Sequence, residues 1–561
     1  MNDKAQMTMK KNYTFHAVLV VLIITFITYY PSINNDFTTW DDSGYITQNN
    51  LLKQNSFSDY FTKDKFIMGN YHPLTMITYA IEYSFVELDP KLYHIDNLIL
   101  HLLNTALVFW FFFLLGGWQI ASIVSVLFGV HPMHVESVAW ISERKDVLYT
   151  FFYLASIIFY IYYLRNNKKI FYAATFLLFV FSLLSKGQAV TLPITLLLID
   201  YFYHKKFSWK YFINKIPFFM LSVLFGIIAI IAQRSVHVFN SSTITINKII
   251  TTDNGFLSKL FHFLNLLFER VCIASYGLLA YCYKLLIPIN LSIFYPYPKK
   301  VDGFLPVIFY LAPFILVGLF VFIFIKWRKN KTVVFGVLFF IANIFPLLQI
   351  LPVGSSIISD RYSYLPSLGY FFLIAHVVIY LSGYKIDDGK LIASISSSPF
   401  FLNRKLILVI LLFPVLIYAY AGNQRCKVWK DSEMLYSNVL ENYPDQNYIQ
   451  YKLGRVYFDK AEIHAKQNNL DSSKHFFQKA ILHFTKSVEI NPQFAKAWQG
   501  LALSNYHIGR LDLAKVEIDS AISLTPNLPE LYLNRSAIFM MLNDTTASLH
   551  DVEKANLLII K

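Results

Sequence analysis

From the N-terminus to about Ala421 polar positions are sparse and apolar ones run in long blocks. A membrane-crossing helix needs roughly 20 apolar residues. Runs of that kind lie near residues 14–31, 96–116, 119–138, 146–163, 169–185, 187–203, 213–232, 304–325, 332–351, 364–383 and 405–421. They predict an all-α, polytopic membrane unit of about eleven spans. The stretch from Phe256 to Pro288 is also apolar, but Lys259, His262, Glu269, Arg270 and Lys284 interrupt it. The basic loops arbitrate, because Lys and Arg collect in short cytoplasmic loops. Lys4, Lys10 and Lys11, then Arg165, Lys168 and Lys169, then Lys205, Lys206, Lys210 and Lys215 fall on one side if every earlier run crosses. Lys326, Arg328, Lys329, Lys331, Arg404 and Lys405 join them only if the 256–288 stretch does not cross. That stretch is therefore expected to lie at the interface. The far side then receives loop 32–95, the turns Ser142–Asp146 and Ser185–Gln188, the region 234–303, the loop Val353–Tyr364, and everything after about Ala421.

Near Gln450 the pattern changes to amphipathic helical periodicity with a 34-residue repeat. Trp498, Leu501, Ala502, Ala514, Ile518, Ala521 and Pro526 fit tetratricopeptide (TPR) spacing, with Asn505 in place of an aromatic. A later copy has Tyr532, Phe539 and Ala555, with Arg535 off pattern. An earlier copy has Leu453, Gly454, Tyr457, Ala480, Phe484 and Pro492, interrupted by roughly fourteen residues around Ala461–His475. Two domains are expected: 1–425 in the membrane, and 426–561 as a helical-repeat unit.

Only 15% of the 561 residues are charged, against roughly 25% in a soluble domain. The net charge of +14 sits in loops between apolar runs, so the lipid bilayer and not nucleic acid is the expected partner. Cys272, Cys282 and Cys426 form neither a disulfide framework nor a metal set. The first apolar run lacks a small-residue cleavage site and reads as a retained anchor.

Candidate chemistry gathers at span ends. Asp41 and Asp42, in Thr39-Trp40-Asp41-Asp42-Ser43-Gly44-Tyr45, follow directly on the first run. Such a pair holds a cation, accepts a proton from an attacking hydroxyl, or caps a helix. His131, His134 and Glu136, followed by Ser142-Glu143-Arg144-Lys145-Asp146, crowd imidazoles, carboxylates and cations near one membrane face. They suit a polar cavity; the second choice is a divalent metal on His131 and His134, three apart on a helix, against which stand Pro132, which breaks the helix, and the lack of a third ligand. Asp146 opens a new span, where a carboxylate meets the positive end of the helix dipole. Lys186, and Arg361 beside Asp360, Tyr362 and Tyr364, suit a phosphate headgroup, whether a substrate's or an ordinary lipid's. Tyr295-Pro296-Tyr297-Pro298, His72-Pro73, Tyr93-His94 and Asn97 line up on the same side.

Trp40-Asp41-Asp42, His131-Pro132-Met133-His134-Val135-Glu136-Ser137-Val138, Leu184-Ser185-Lys186, Lys284-Leu285-Leu286-Ile287-Pro288-Ile289-Asn290-Leu291-Ser292 and Asp360-Arg361-Tyr362-Ser363-Tyr364-Leu365-Pro366 occur in this order before the repeats. Together they resemble the transmembrane and TPR repeat-containing O-mannosyltransferases and their bacterial relatives, over nearly the whole chain. The resemblance implies a GT-C helical glycosyltransferase with a polyprenyl-phosphate-linked sugar as donor, an inverting displacement and no required cofactor. It implies that Asp41 or Asp42 is the catalytic carboxylate and that Asp146 matches an acidic position in the second outer loop. Lys186 and Arg361 would lie near the donor phosphate. Gly187 stands where animal members often carry Glu. The repeats would present a protein acceptor, and a bacterial inner membrane with periplasmic repeats is the expected setting. Two other readings use the same residues: a membrane-anchored TPR scaffold, in which the loop charges are dispensable, and a transporter of lipid-linked saccharides, which favours mid-span charges and internal symmetry.

Overall fold

The computed structural model describes residues 3–53, 57–62, 66–204, 209–235, 256–350, 354, 356–382, 384–387, 390–393 and 404–560. Lys205, Lys206 and Val353 lie outside the described residues. The chain divides into two compact units, Met1–Lys430 and Asp431–Lys561.

The first unit is built from α1 (Asp3–Tyr29), α2 (Pro73–Val86), α3 (Pro90–Gly116), α4 (Trp118–Val130), α5 (Val135–Ala139), α6 (Arg144–Asn166), α7 (Lys169–Ser185), α8 (Leu192–Tyr203), α9 (Trp209–Ile213), α10 (Ile216–Ser235), α11 (Phe256–Leu286), α12 (Val307–Trp327), α13 (Lys331–Ile344), α14 (Ser367–Leu381) and α15 (Arg404–Val428). Strands β1 (Tyr384–Asp387) and β2 (Lys390–Ala393) form an antiparallel hairpin with Tyr384 opposite Ala393. Six described helices are long and apolar enough to cross a membrane, and α4 with Pro132–Ala139 makes a seventh, bent by 53°. The bend falls where Pro132 removes a backbone donor. Helices α7 and α14 and the segment Lys331–Leu347 are apolar but shorter. Residues 187–203, expected as a single span, divide into a 3₁₀ turn, Gly187–Thr191, and the twelve-residue α8.

Helix α11 passes the length and hydropathy criterion over Phe263–Leu286, although the sequence places it at the interface. Its contacts are these. Phe268 and Tyr276 stack on Tyr310 and Phe309 at the start of α12, Glu269 pairs with Lys300 at 2.7 Å, and Arg270 lies over the Tyr297 ring. Tyr281 donates to the Ser359 carbonyl at 3.2 Å, and the Leu285 carbonyl meets His131 Nε2 at 3.2 Å. From Phe268 to Leu285 these contacts are with helix starts and connecting segments, and Glu269, Arg270 and Lys284 find partners there.

Away from those segments lies a sealed ion pair. Lys215 Nζ bonds Asp200 and the Tyr160 hydroxyl, and that hydroxyl donates to Asp200 Oδ1 at 2.7 Å. The Lys215 and Asp200 side chains are 1% and 3% exposed.

The second unit stacks α16 (Ser432–Asn442), α17 (Asn447–Lys466), α18 (Leu470–Ile490), α19 (Ala495–His507), α20 (Leu511–Leu524), α21 (Pro529–Met541) and α22 (Thr545–Ile560) as successive antiparallel hairpins. The expected interruption of the first repeat is no loop. Helices α17 and α18 have 20 and 21 residues where α19 and α20 have 13 and 14. Each helix gains seven residues, close to two full turns, so the buried face stays in phase. His464 and Phe476 stack in the added turns, at 5.2 Å. Gly454 and Gly500 are small because the Phe484 ring lies between them: a Cβ on either would meet it at 2.8 or 2.6 Å. The two off-pattern residues have partners. Asn505 donates to both oxygens of Glu517 at 2.9 Å, and Arg535 bridges Asp519 at 2.6 Å and Asp551 at 2.7 Å.

Candidate active site

At the end of the bundle where α11 lies, four separate stretches meet: the loop after α1, the α5–α6 turn, the α7–α8 turn and the segment before α14. Asp42 ties the first two together. Its Oδ2 accepts from the Thr38 amide at 2.8 Å and the Thr38 hydroxyl at 2.9 Å. Its Oδ1 accepts from the Ser142 amide at 3.0 Å and from the Ser142 hydroxyl. Burial nonetheless pushes the Asp42 carboxyl above its ordinary range, against those bonds. Both oxygens are thus committed to structure. Its neighbour Asp41 is half-exposed, and its charge acts on Lys145 and on the Tyr45 phenol.

The α5–α6 turn carries Glu143, whose carboxylate is shared by three cations. Oε1 lies 3.2 Å from Lys145 Nζ and 3.2 Å from Arg361 Nε, and Oε2 lies 3.2 Å from Lys186 Nζ. Each cation has a further partner. Lys186 bonds Asp146 Oδ1 at 2.5 Å, and Ser137 holds the other Asp146 oxygen at 3.2 Å. Arg361 pairs with Glu136 through NH1, and its backbone amide donates to the same carboxylate at 3.2 Å. Lys145 Nζ sits 4.6 Å from the centre of the Tyr45 ring. The Glu143 side chain is 1% exposed, whereas Lys186 and Arg361 keep 17% and 18% open. The cluster therefore has a closed carboxylate floor and a cationic rim.

Aromatic rings brace that rim. The Arg361 guanidinium lies 4.8 Å from the Tyr362 ring and 5.4 Å from the Trp140 ring. Trp140 in turn stacks on Trp429 at 5.3 Å. Beside Arg361, buried Asp360 accepts from the Tyr295 hydroxyl at 2.7 Å, which ties the proline-rich 288–298 stretch to the arginine. Burial raises the Asp360 carboxyl, and the Arg425 and Lys284 charges oppose that rise. Buried His72, whose ring lies 5.2 Å from that of Tyr45, is held down to about 3, first by burial and then by the Lys145 and Lys186 charges. It stays neutral at physiological pH.

Of the sequence candidates, Asp41, Asp146, Lys186, Arg361, Tyr362 and Glu136 meet here, with Asp42 beneath them. Four others go elsewhere. Arg144 turns away to pair with Glu82, bonding Asn97 Oδ1 at 2.8 Å and the Tyr93 carbonyl at 2.7 Å. It is a buried strut between α2, α3 and α6. The Tyr364 hydroxyl bonds His101 Nδ1 at 2.8 Å inside the core. His131 accepts from the Met133 amide at 3.3 Å on Nδ1 and faces the Leu285 carbonyl with Nε2. His134 faces the Phe128 carbonyl at 2.8 Å and Ser367 at 3.2 Å. Every nitrogen of these two rings has a protein partner, and among the described residues no three His, Cys, Asp or Glu side chains group as a metal set. Glu143 and Lys145 were not singled out in the sequence. Their one signal was membership of the five-residue polar run 142–146.

No family model matches the chain. Among curated proteins it is 26% identical over 469 residues to protein O-mannosyl-transferase F38B6.6 of Caenorhabditis elegans, covering 79% of this chain and 60% of that protein. It is 29% identical over 207 residues to human protein O-mannosyl-transferase TMTC4, covering 32% of this chain and 28% of that one. It is 28% identical over 185 residues to human protein O-mannosyl-transferase TMTC3, covering 31% and 20%. The chain thus spans less than two thirds of the length of these relatives. Among solved structures, MamA MSR-1 C2 overlaps 28% of this chain and 80% of its own at 17% identity, with a TM-score of 0.19, too low to carry an argument. As the motifs led us to expect, the chain is similar to proteins named protein O-mannosyl-transferase.

Proposed function

Taking that kinship as premise, we propose that the chain is a membrane glycosyltransferase of the GT-C type. It moves a sugar from a polyprenyl-phosphate-linked donor to the hydroxyl of a protein Ser or Thr. The observation that supports this most is the cationic rim of Lys186 and Arg361 beside half-exposed Asp41, at the end of an apolar helical bundle. A lipid-linked phosphate needs that combination: its tail stays in the bilayer while its charge is met at the bilayer's edge.

In this mechanism Asp41 accepts the proton of the acceptor hydroxyl as its oxygen attacks the anomeric carbon. The carbon–oxygen bond to phosphate breaks with inversion, and the electron pair leaves on the phosphate oxygen. Lys186 as a point charge and Arg361 as a planar fork stabilise that oxygen's charge. Asp42 holds the loop that carries Asp41, since its own oxygens are taken. Asp146 and Glu136 orient Lys186 and Arg361. The repeat unit holds the acceptor segment.

Sugar transfer by membranes carrying Asp41→Asn should fall by about 10²- to 10⁴-fold, with the chain still folded. Full activity in Asp41→Asn would sink the assignment of Asp41 as the base. We place the reaction on the non-cytoplasmic face, in a bacterial inner membrane with the repeats in the periplasm. A reporter fused after Ala421 that matured only in the cytosol would overturn that placement.

A further inference from the structure

We infer that Glu143 is a built-in competitor for the donor's phosphate, whose role is to release the spent lipid phosphate after transfer. The inference rests on the function proposed above. Three cations converge on this one carboxylate, each at 3.2 Å. Lys186 and Arg361, the two with an open edge, are joined to each other through it, one on each oxygen. A phosphate bound at that edge draws on the same charges that Glu143 already engages. Coulomb attraction at such distances is large in a partly buried site, so each gain by the phosphate weakens the hold of Glu143.

The balance differs between substrate and product. The sugar-bearing donor is a phosphodiester with one negative charge. The product is a phosphomonoester whose second ionisation lies near pH 6, so it carries up to two charges at neutral pH. A rim of uncompensated cations would hold the product more tightly than the donor, and turnover would stall on release. Glu143 offsets this. It sits 1% exposed beneath the rim, stays with the protein, and reclaims Lys186 and Arg361 when the lipid phosphate loosens. The other carboxylates cannot serve both cations in the same way: Asp146 pairs with Lys186 and Glu136 with Arg361.

The test uses the full chain in detergent, with farnesyl phosphate as a short-chain probe read by calorimetry, and transfer followed in single and multiple turnover. Glu143→Gln keeps the side chain's shape and an acceptor oxygen while removing the charge. It should bind farnesyl phosphate at least about tenfold more tightly than the parent chain. Its steady-state kcat and its KM for donor should both fall, while its single-turnover rate does not fall. Glu143→Asp keeps the charge but withdraws it, and should bind with intermediate affinity; it also serves if the Gln variant does not fold. If the parent binds and transfers but neither variant binds more tightly, the competitor role is wrong and the proposed function stands. If the parent chain neither binds farnesyl phosphate nor transfers sugar, the proposed function fails and this inference with it.

Discussion

Two ionic clusters in the first unit use the same residue types in opposite ways. Around Lys215 one ammonium meets one carboxylate, a tyrosine hydroxyl completes the bonding, and almost nothing is open to solvent. Around Glu143 three cations share one carboxylate, two more carboxylates stand behind, and the cationic edge is open. The sealed arrangement is what structure alone requires, since a buried charge must be matched and hydrogen-bonded. The open one keeps binding capacity in reserve. An ion pair in lipid is thus no mark of function by itself; unequal partners and an accessible edge are.

The comparison breaks most visibly in stability. Lys215→Met leaves Asp200 buried without its cation and should cost about 3–5 kcal/mol. That loss would be read as a lower melting temperature in detergent, with sugar transfer per folded molecule unchanged. Adding Asp200→Leu should recover most of it. A loss of transfer at unchanged folded fraction would mean that this cluster, too, is functional. Next in size is Arg361→Lys, which keeps the charge but loses the planar fork. Transfer should fall about a hundredfold, equivalent to about 2.7 kcal/mol of barrier, with little change in melting. Equal activity would reduce Arg361 to a structural ion of the Lys215 kind.

The smallest effect lies in the repeat unit, where charge is neither sealed nor reserved. His483 is held down to about 4, by burial and then by Lys486 and Lys479. Glu433 titrates below its ordinary range although burial pushes it up, because Lys460 and Tyr457 bond it. Both shifts have the same consequence. Between pH 6.5 and about 4 the unfolded chain binds a proton that folded His483 refuses, and below the ordinary glutamate range Glu433 loses its favourable contacts. Stability of this unit is therefore full at pH 7 and declines on acidification. The His483 contribution is under about 1 kcal/mol after allowing for solvent screening. Amide protection factors in 447–466 and 470–490, which divide out the intrinsic pH dependence, should fall from pH 7 to 5, and His483→Gln should blunt the effect. Equal or higher protection factors at pH 5 than at pH 7 would contradict it.

Most of the long helices were legible because apolar length reads directly as a helix in lipid, and the repeats because 34-residue spacing carries its own packing pattern. Lys186, Asp146, Glu136 and Arg361 could be picked out because each is a charge at a span end. The run 142–146 could not be sorted from sequence. Its five residues pass from a 3₁₀ turn into α6, and that junction sends Glu143 beneath the rim and Arg144 to Glu82. Periodicity says nothing of such a change of pitch. His131, His134 and Tyr364 misled for another reason: a polar ring beside a membrane face looks chemical until its backbone partners are known. Backbone carbonyls such as those of Leu285 and Phe128 leave no trace in side-chain spacing.

The seven residues added to each of α17 and α18 have an outcome beyond packing. At 1.5 Å per residue they carry the hairpin tip at Gln467–Asn469 about 10 Å past the level reached by its neighbour at Ile508–Arg510. The array consequently ends on one side in a projecting finger, and anything laid along the repeats must pass around it or be gripped by it.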